Sequence, residues 1–97
     1  MKKRRDRADE LLNHAIALAH CHGYQNVTRD ALATAAACSP ALISAYFGTM
    51  TKLRRAIMSA AIARNDLKII AQGLAVGDAK ARAVTTKTKR AALDGLL

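Results

Sequence analysis

Residues 27–49, VTRDALATAAACSPALISAYFGT, contain two helix-start signals separated by a very short connector. Thr28 can cap a helix of about residues 29–36, because a threonine hydroxyl accepts a hydrogen bond from an unpaired N–H group at a helix start. Ser39 can cap a second helix of about 40–47, and a proline follows it at the position where a missing N–H costs least. Only two residues remain as a connector, so the helices must turn sharply against each other. The stretch predicts a helix-turn-helix motif.

One helix precedes this motif and a longer one follows it. Apolar residues recur at steps of three and four from Asp6, which predicts a helix that ends at Gly23. Thr49 can cap a fourth helix, and the apolar spacing predicts a single helix as far as Gln72. Residues 79–97 contain poor helix formers, which predicts a short helix, a tail, or both. The expected fold class is all-α: a trihelical helix-turn-helix domain, a longer fourth helix, and a short C-terminal helix or tail.

The charge of the chain favours an anionic partner. Sixteen Lys and Arg side chains stand against seven Asp and Glu, giving a net charge of +9. Nucleic acid is the first such partner and an anionic membrane surface the second. The third helix is nonetheless poor in charge, which fits a recognition helix. Short side chains let its backbone approach base edges, while cations at the edges of the domain lie near phosphates. Double-stranded DNA is therefore the expected partner.

Several other classes of function are disfavoured by the sequence. No apolar run approaches the roughly 20 residues of a membrane-spanning helix, and no signal peptide is apparent. A cytoplasmic protein with no membrane partner is therefore expected. The sequence contains no paired carboxylates, no nucleophile and histidine at a usable spacing, and no glycine-rich phosphate loop, so neither an enzyme nor a cofactor is expected.

The histidines and cysteines are clustered, but their spacing does not predict a metal site. His20, Cys21 and His22 would point in three different directions on a helix. No second close pair completes a tetrahedral ligand set with them and His14. Cys21 and Cys38 are expected to be small packing residues rather than partners in a disulfide.

A larger pattern joins the predicted helices. It consists of apolar, glycine, aromatic and hydroxyl positions at fixed gaps: Leu11-Leu12, Ala15, Leu18-Ala19, Gly23-Tyr24, Thr28, Leu32-Ala33, Ala36, Ser39, Ile43, Tyr46-Phe47 and Leu53. This pattern resembles the DNA-binding domain of the tetracycline-repressor (TetR) family over about residues 6–58. The resemblance implies that the third helix contacts bases, that Thr28 and the start of the fourth helix hold phosphates, and that the protein is a transcriptional repressor.

Three positions depart from the family pattern. Ala37 occupies the turn where the family usually has glycine, Ser44 stands where a tyrosine is frequent, and Met50 stands where a lysine is frequent. Lys52 can substitute for that lysine as a phosphate contact. Only 39 residues follow position 58, which leaves no room for the family's ligand-binding domain, so no small-molecule ligand is expected.

The expected DNA interface combines base contacts with phosphate contacts. Ser39 and Ser44 can hydrogen-bond base edges or phosphates, and Ala41 and Ala45 can contact thymine methyl groups. The full set of expected DNA-binding residues is Lys2, Lys3, Arg4, Arg5, Thr28, Arg29, Ser39, Pro40, Ala41, Ser44, Ala45, Tyr46, Thr49, Thr51 and Lys52.

The chain is expected to divide into three parts. Residues 1–5 are predicted to be a flexible basic arm, residues 6–58 the DNA-binding domain, and residues 59–97 the rest of the fourth helix with a dimerisation segment or tail. One trihelical module covers only a half-site, so a homodimer on a palindromic operator is expected. The expected dimer interface consists of apolar residues on the other faces of the fourth helix, joined by one residue beyond Gly73: Met58, Ile62, Ile69, Ile70 and Leu74.

The sequence therefore predicts a DNA-binding transcriptional regulator, in particular a small repressor that works without an inducer. Two alternatives remain open. One is a nonspecific nucleic-acid-binding protein that uses charge alone, which a low ratio of operator to random-duplex affinity would favour. The other is an adaptor that binds another transcription protein, in which changes at the DNA-facing positions would have no effect.

Overall fold

Seven α-helices and no strands make up the part of the chain that the computed structural model describes, residues 4–95. This confirms the predicted all-α fold class. A single turn of 3₁₀ helix, Tyr24–Asn26, follows the first helix. The helices are α1 (Arg4–His22), α2 (Arg29–Ala35), α3 (Pro40–Phe47), α4 (Met50–Ala63), α5 (Leu67–Val76), α6 (Ala79–Arg82) and α7 (Thr86–Asp94).

The three predicted helix-start signals are confirmed by hydrogen bonds. Thr28 Oγ1 accepts from the N–H of Ala31 at 3.1 Å, and α2 begins at the next residue. Ser39 Oγ accepts from Leu42 at 3.2 Å at the start of α3. Thr49 Oγ1 accepts from the N–H of residue 52 at 3.2 Å at the start of α4. Each hydroxyl satisfies one N–H group that the helix itself leaves without a partner.

The prediction of one uninterrupted fourth helix as far as Gln72 is wrong. Asn65 adopts a left-handed backbone conformation with φ of 54°, which ends α4. The N–H of Asp66 then donates back to the carbonyl of Ala61 at 2.8 Å. The carboxylate of Asp66 accepts from the N–H of Ile69 at 3.3 Å and so caps α5. Asparagine tolerates the left-handed region better than most residues, so a helix can stop here without glycine or proline.

The break lets α5 fold back and extend the hydrophobic core. α5 packs on α4, and α6 and α7 then cover it. The core is continuous from the first helix to the last, and its fully buried large side chains are Leu11, Val27, Leu32, Ile43, Leu53, Ile57, Met58, Ile69 and Ile70.

The predicted dimer interface is wrong for three of its five residues. Met58, Ile69 and Ile70 each have 0% of their surface exposed within the single chain, so they cannot contact a second copy. Ile62 and Leu74 are half-buried and pack against the same core. The prediction assumes one uninterrupted fourth helix with its other faces in solvent. The turn at residues 64–66 instead packs α5 against α4, so those faces contact each other.

Polar contacts tie α1 and the 3₁₀ turn to the C-terminal helices. The N–H and O–H of Tyr24 donate to Gln72 Oε1 and Asp78 Oδ2, both at 2.9 Å. Gln72 Nε2 donates in turn to the carbonyl of Ala19 at 3.1 Å. His20 Nε2 lies 2.6 Å from Asp66 Oδ2, the carboxylate that caps α5. The two halves of the chain are therefore one packed unit.

The boundary of the predicted N-terminal arm is also corrected. α1 begins at Arg4, so Arg4 and Arg5 are helical rather than part of a flexible arm, while Lys2 and Lys3 lie outside the described residues. Asp6 stands in the first turn of α1, where a negative charge interacts favourably with the helix dipole. Arg7 Nη1 lies 3.2 Å from Glu10 Oε2, which further supports the helix start.

Candidate nucleic-acid interface

The turn between α2 and α3 has the tight geometry that its sequence predicts. The N–H of Cys38 donates to the carbonyl of Ala33 at 2.9 Å, and the N–H of Ala37 donates to that of Thr34 at 3.2 Å. This double hydrogen bond is the Schellman ending of a helix, and it requires a left-handed residue after the cap. Ala37 is that residue, with φ of 54°. Ala33 is buried where the two helices meet.

α3 has one face in the core and one face in solvent. Ile43 is buried, and Tyr46 and Phe47 are half-buried with their rings 6.4 Å apart. The predicted outward positions lie largely in solvent, because Ser39, Pro40, Ala41 and Ala45 are exposed and Ser44 is half-buried. The exposed face is therefore narrow and made of short side chains, which is the shape that a helix needs to enter a major groove.

Hydroxyl groups surround this face. Thr28, Ser39, Thr49 and Thr51 are all exposed. The first three accept backbone hydrogen bonds as helix caps. A hydroxyl group has two acceptor lone pairs and one donor hydrogen, so a capping hydroxyl can still donate to a phosphate oxygen. These residues can thus stabilise the helices and contact a DNA backbone at the same time.

Lys52 extends from α4 toward the end of α3. It is exposed, and a Cβ atom built on Gly48 would lie 3.2 Å from Lys52 Cδ. Its aliphatic part therefore covers the glycine that ends α3. The ammonium group of such a side chain stays in solvent beside the exposed face. This position supports the expectation that Lys52 replaces the lysine that is frequent at Met50.

The predicted cations differ in how accessible they are. Arg5 and Arg55 are exposed and Arg29 is half-buried. Arg54, the neighbour of Arg55 in α4, is half-buried, and its Nε atom is buried without a hydrogen-bond partner. It lies close enough to Tyr24 for its positive charge to act on that phenol. Arg54 therefore faces the 3₁₀ turn as well as solvent.

Tyr24 is a buried residue whose environment the sequence does not reveal. Burial, followed by the hydrogen bond to the Asp78 carboxylate and the negative charge of that group, raises the pKa of Tyr24 to about 12. A hydrogen bond from Gln25 and the charge of Arg54 oppose the rise in pKa. The phenol thus remains a hydrogen-bond donor at neutral pH and keeps the domain attached to the C-terminal helices. Its partner lies 54 positions away, so no local pattern could have indicated the bond.

Within residues 4–95, the cysteines are free and the potential metal ligands are dispersed. Cys21 is exposed and Cys38 half-buried, and both are free thiols. The prediction that Cys21 is a packing residue is therefore wrong, because it lies on the solvent side of α1. Over residues 4–95 the structure contains no group of three His, Cys, Asp or Glu side chains that could hold a metal ion. In the same part of the chain, every helix is too short or too polar to cross a membrane.

Comparison with known proteins agrees with this geometry. Residues 11–57 match the family model described as bacterial regulatory proteins of the tetR family. The match begins in α1 and ends in α4, so it includes both helices of the motif and the two that flank it. No curated protein and no solved structure matches the chain. Residues 11–57 thus form a tetR-family helix-turn-helix DNA-binding domain, and the chain that carries it is a DNA-binding transcription regulator.

Proposed function

We propose that the protein is a small repressor that binds a palindromic operator as a homodimer and does so without a small-molecule inducer. The observation that carries this proposal is the exposed face of α3. It presents short side chains, and hydroxyl groups and a lysine surround it. This arrangement matches a helix that enters a major groove between two phosphate backbones. Repression then follows from occupancy of the operator, in the cytoplasm where the DNA lies.

Base recognition is assigned to the exposed face of α3. Ser39 and Ser44 can exchange hydrogen bonds with base edges, since a hydroxyl both donates and accepts. Ala41 and Ala45 can contact thymine methyl groups, because no longer side chain separates them from the groove floor. Pro40 keeps the first turn of α3 in a helical conformation and adds an apolar contact surface.

Phosphate contacts are assigned to the residues around that face. They supply most of the affinity and little of the sequence preference. Tyr46 lies at the edge of the face as a half-buried ring that can direct its hydroxyl to the backbone. The other proposed phosphate contacts are Lys2, Lys3, Arg4, Arg5, Thr28, Arg29, Thr49, Thr51 and Lys52.

The packing of the core supports regulation without an inducer. Inducer sites are concave and combine apolar walls with a few polar groups that orient the ligand. Among residues 5–95 no charged side chain, and no polar one other than the Tyr24 phenol, is fully buried. The interior of the helical bundle therefore offers few polar contacts for such a ligand.

Binding to the protein's own upstream DNA tests the proposal. Ala41→Glu introduces a carboxylate on the exposed face of α3, where it would oppose the phosphates and exclude the helix from the groove. Ser44→Arg introduces a side chain too long for the same space. We expect each variant to lose about 100-fold or more in operator affinity, since single base-contact positions contribute about 1–3 kcal/mol and the new side chain adds a clash. A gel-shift titration at fixed salt measures the change.

Ala75→Glu is the matched control for that titration. Ala75 is exposed on α5, outside the matched domain, so the same change of charge there should leave operator affinity within about twofold. All three variants should keep the helicity and melting temperature of the wild type. Operator binding by Ala41→Glu at wild-type strength would show that α3 does not contact the DNA.

A further inference from the structure

The positive charge of the chain is concentrated in two separate parts. Residues 1–58 contain nine basic and four acidic side chains, a net charge of +5. Residues 59–78 contain two of each and are neutral. Residues 79–97 contain five basic side chains and one acidic, a net charge of +4. The DNA-binding domain therefore accounts for only about half of the excess charge, and the second concentration requires its own explanation.

The second concentration lies on a different side of the molecule from α3. α3 packs on α2 and α4, whereas α7 packs on α5, and α6 packs on α4 and α5. The described chain is elongated, with a longest extent of 40 Å. The neutral segment that contains α5 thus separates the two positive regions.

The cations of α6 and α7 are accessible to solvent, and the part of the surface that they occupy is here called the α6–α7 surface. Four of the five side chains are exposed and Lys89 is half-buried. A groove of about 380 Å³ between the two helices is lined by Arg82 and Lys89 together with Ala79 and Ala83. None of the five cations forms an ion pair within the described residues. The α6–α7 surface consists of Lys80, Arg82, Lys87, Lys89 and Arg90.

The acidic groups near this surface do not neutralise it. Asp78 accepts hydrogen bonds from the N–H groups of Lys80 and Ala81 and from the hydroxyl of Tyr24, so its carboxylate is occupied at the start of α6. Asp94 is the last residue of α7. From residue 79 to residue 93 the sequence contains no acidic residue. The five cations therefore outnumber the two flanking carboxylates, and this part of the chain keeps a net positive charge.

We propose that the α6–α7 surface binds the phosphate backbone of a second DNA duplex, so that one molecule bridges two duplex segments. Exposed Lys and Arg side chains without carboxylate partners bind phosphates and release counterions, with no need for a particular base sequence. The segment from residue 79 to residue 93 has no aromatic residue, so it lacks the aromatic side chains on which the bases of a single strand usually stack. Among the described residues of α7, Ala92 is buried and Leu93 is the one large apolar side chain in solvent, which is less apolar surface than a helix that lies in a lipid interface presents.

The function of this surface would be to connect separated sites. Contacts with phosphates alone cannot select a sequence, so recognition stays with α3 while the α6–α7 surface holds any neighbouring duplex. Such a molecule can close a DNA loop or compact DNA around its binding site. The inference needs only that the protein binds DNA and does not depend on repression or on a defined operator.

A two-duplex capture experiment with the full chain tests the proposal. A random-sequence duplex is attached to beads and loaded with protein, and a second, fluorescent duplex of random sequence is then added. The wild type should retain the second duplex at low salt, with a steep decline in retention as salt increases. Lys87→Glu combined with Arg90→Glu should reduce the retained duplex at least tenfold, because both side chains are exposed on α7. Removal of each phosphate-binding side chain should reduce the slope of log affinity against log salt by about one.

Arg64→Glu combined with Lys68→Glu is the matched control. These two residues are exposed in the neutral segment, and the pair changes the net charge by the same amount. The control should retain the second duplex, and both double variants should bind the first duplex within about twofold of the wild type. If the α7 variant melts at a lower temperature, Lys87→Gln combined with Arg90→Gln replaces it.

Four results would overturn the proposal. The first three are failure of the wild type to retain a second duplex, an equal reduction of capture in the Arg64/Lys68 control, and binding of anionic phospholipid vesicles in place of duplex capture. The fourth is capture that persists in the α7 variant, which would assign bridging to a dimer that uses two α3 helices. Failure of the Ala41→Glu test in upstream DNA leaves this experiment unaffected, since both duplexes here have random sequence.

Discussion

At the scale of single residues, Ala37 determines how closely α2 and α3 approach. Its φ of 54° lies in the left-handed region, which an L-residue with a Cβ atom occupies at a cost of roughly 1–2 kcal/mol. Family members usually have glycine at this point. The hydrogen bonds of Ala37 and Cys38 to the last turn of α2 hold the conformation in place despite that cost.

Ala37→Gly should therefore stabilise the protein. Glycine removes the left-handed cost, but it also increases the conformational entropy of the unfolded chain, so the net gain should be roughly 0.5–1 kcal/mol. Urea denaturation followed by circular dichroism measures it. Ala35→Gly is the control, because the last residue of α2 has helical geometry and glycine there should lower the free energy of unfolding. A loss of stability in Ala37→Gly would show that the turn does not strain the alanine.

Tyr24 should make stability fall at alkaline pH. The pKa of about 12 in the folded protein lies above the ordinary value of 10.0, so the folded state holds the phenolic proton more tightly than the unfolded state. The stability that this tighter proton binding gives the folded state is fully present below pH 10. It is lost as the pH rises through about 12, because the phenol of the unfolded chain releases its proton first. The free energy of unfolding of Tyr24→Phe should decline less over that interval than that of the wild type. Parallel curves for the two proteins would contradict the assignment.

At the scale of elements, the close approach of α4, α5 and α6 depends on one glycine in the middle of a helix. A Cβ atom on Gly73 would lie 2.5 Å from Met58 Cε and 2.7 Å from Ala81 Cβ. The first contact involves the flexible end of a side chain, which can move. The second involves a Cβ atom fixed to the backbone of α6, which can move only if α6 shifts.

Gly73→Ala should therefore destabilise the protein despite the better helix propensity of alanine. Overpacking of this kind costs roughly 1–3 kcal/mol, and the gain in propensity offsets about 1 kcal/mol of it. Ala81→Gly removes the opposing Cβ atom. The double variant should be less destabilised than the sum of the two single variants in thermal melts, since the two sites share one contact. Strictly additive effects would mean that α6 does not meet α5 at this point.

The starts of α2, α3 and α4 could be predicted from sequence because each depends on a capping residue a few positions from the bond it makes. The end of α4 could not be recognised from apolar spacing, since that spacing continues through the left-handed Asn65. An aspartate in a capping position, Asp66, was the available signal for a new helix start. The outward face of α3 could be predicted from sequence, because the capping residue fixes where the helix begins and so which residues point outward. The partners of Tyr24 could not be predicted, because they depend on how helices far apart in sequence pack together.

At the scale of the whole molecule, the fully buried large apolar residues beyond residue 57, which are Met58, Ile69 and Ile70, stabilise one chain rather than an interface between two. Periodicity indicates that a residue is buried, but it does not indicate which surface buries it. Val76 and Leu93 are the large apolar residues that stay exposed among residues 5–95, at 52% and 47%. A dimer must therefore use a smaller apolar area than the sequence predicted, or form on the DNA.

We expect a dimer on the operator, with a footprint that covers two half-sites about 34–36 Å apart between centres. Light scattering of the full chain with and without operator DNA measures the assembly, and footprinting measures the width. Both measurements need the full chain, because a chain shortened to Gln72 lacks the helices α6 and α7 that pack on α5. A protected region only one half-site wide, with one molecule bound, would contradict the proposed homodimer.

The bonds of Tyr24 to Gln72 and Asp78 also bear on how the protein is made. A ribosome synthesises residues 11–57 before it reaches Gln72 and Asp78. The recognition helix is therefore complete while the hydrogen-bond partners of Tyr24 are still to be added. The newly made domain keeps an unpaired polar group and an uncovered apolar surface until α5 and α6 emerge. We expect a prematurely terminated polypeptide that ends within α5 to be removed by cellular proteases, so that DNA is bound by finished chains and not by fragments.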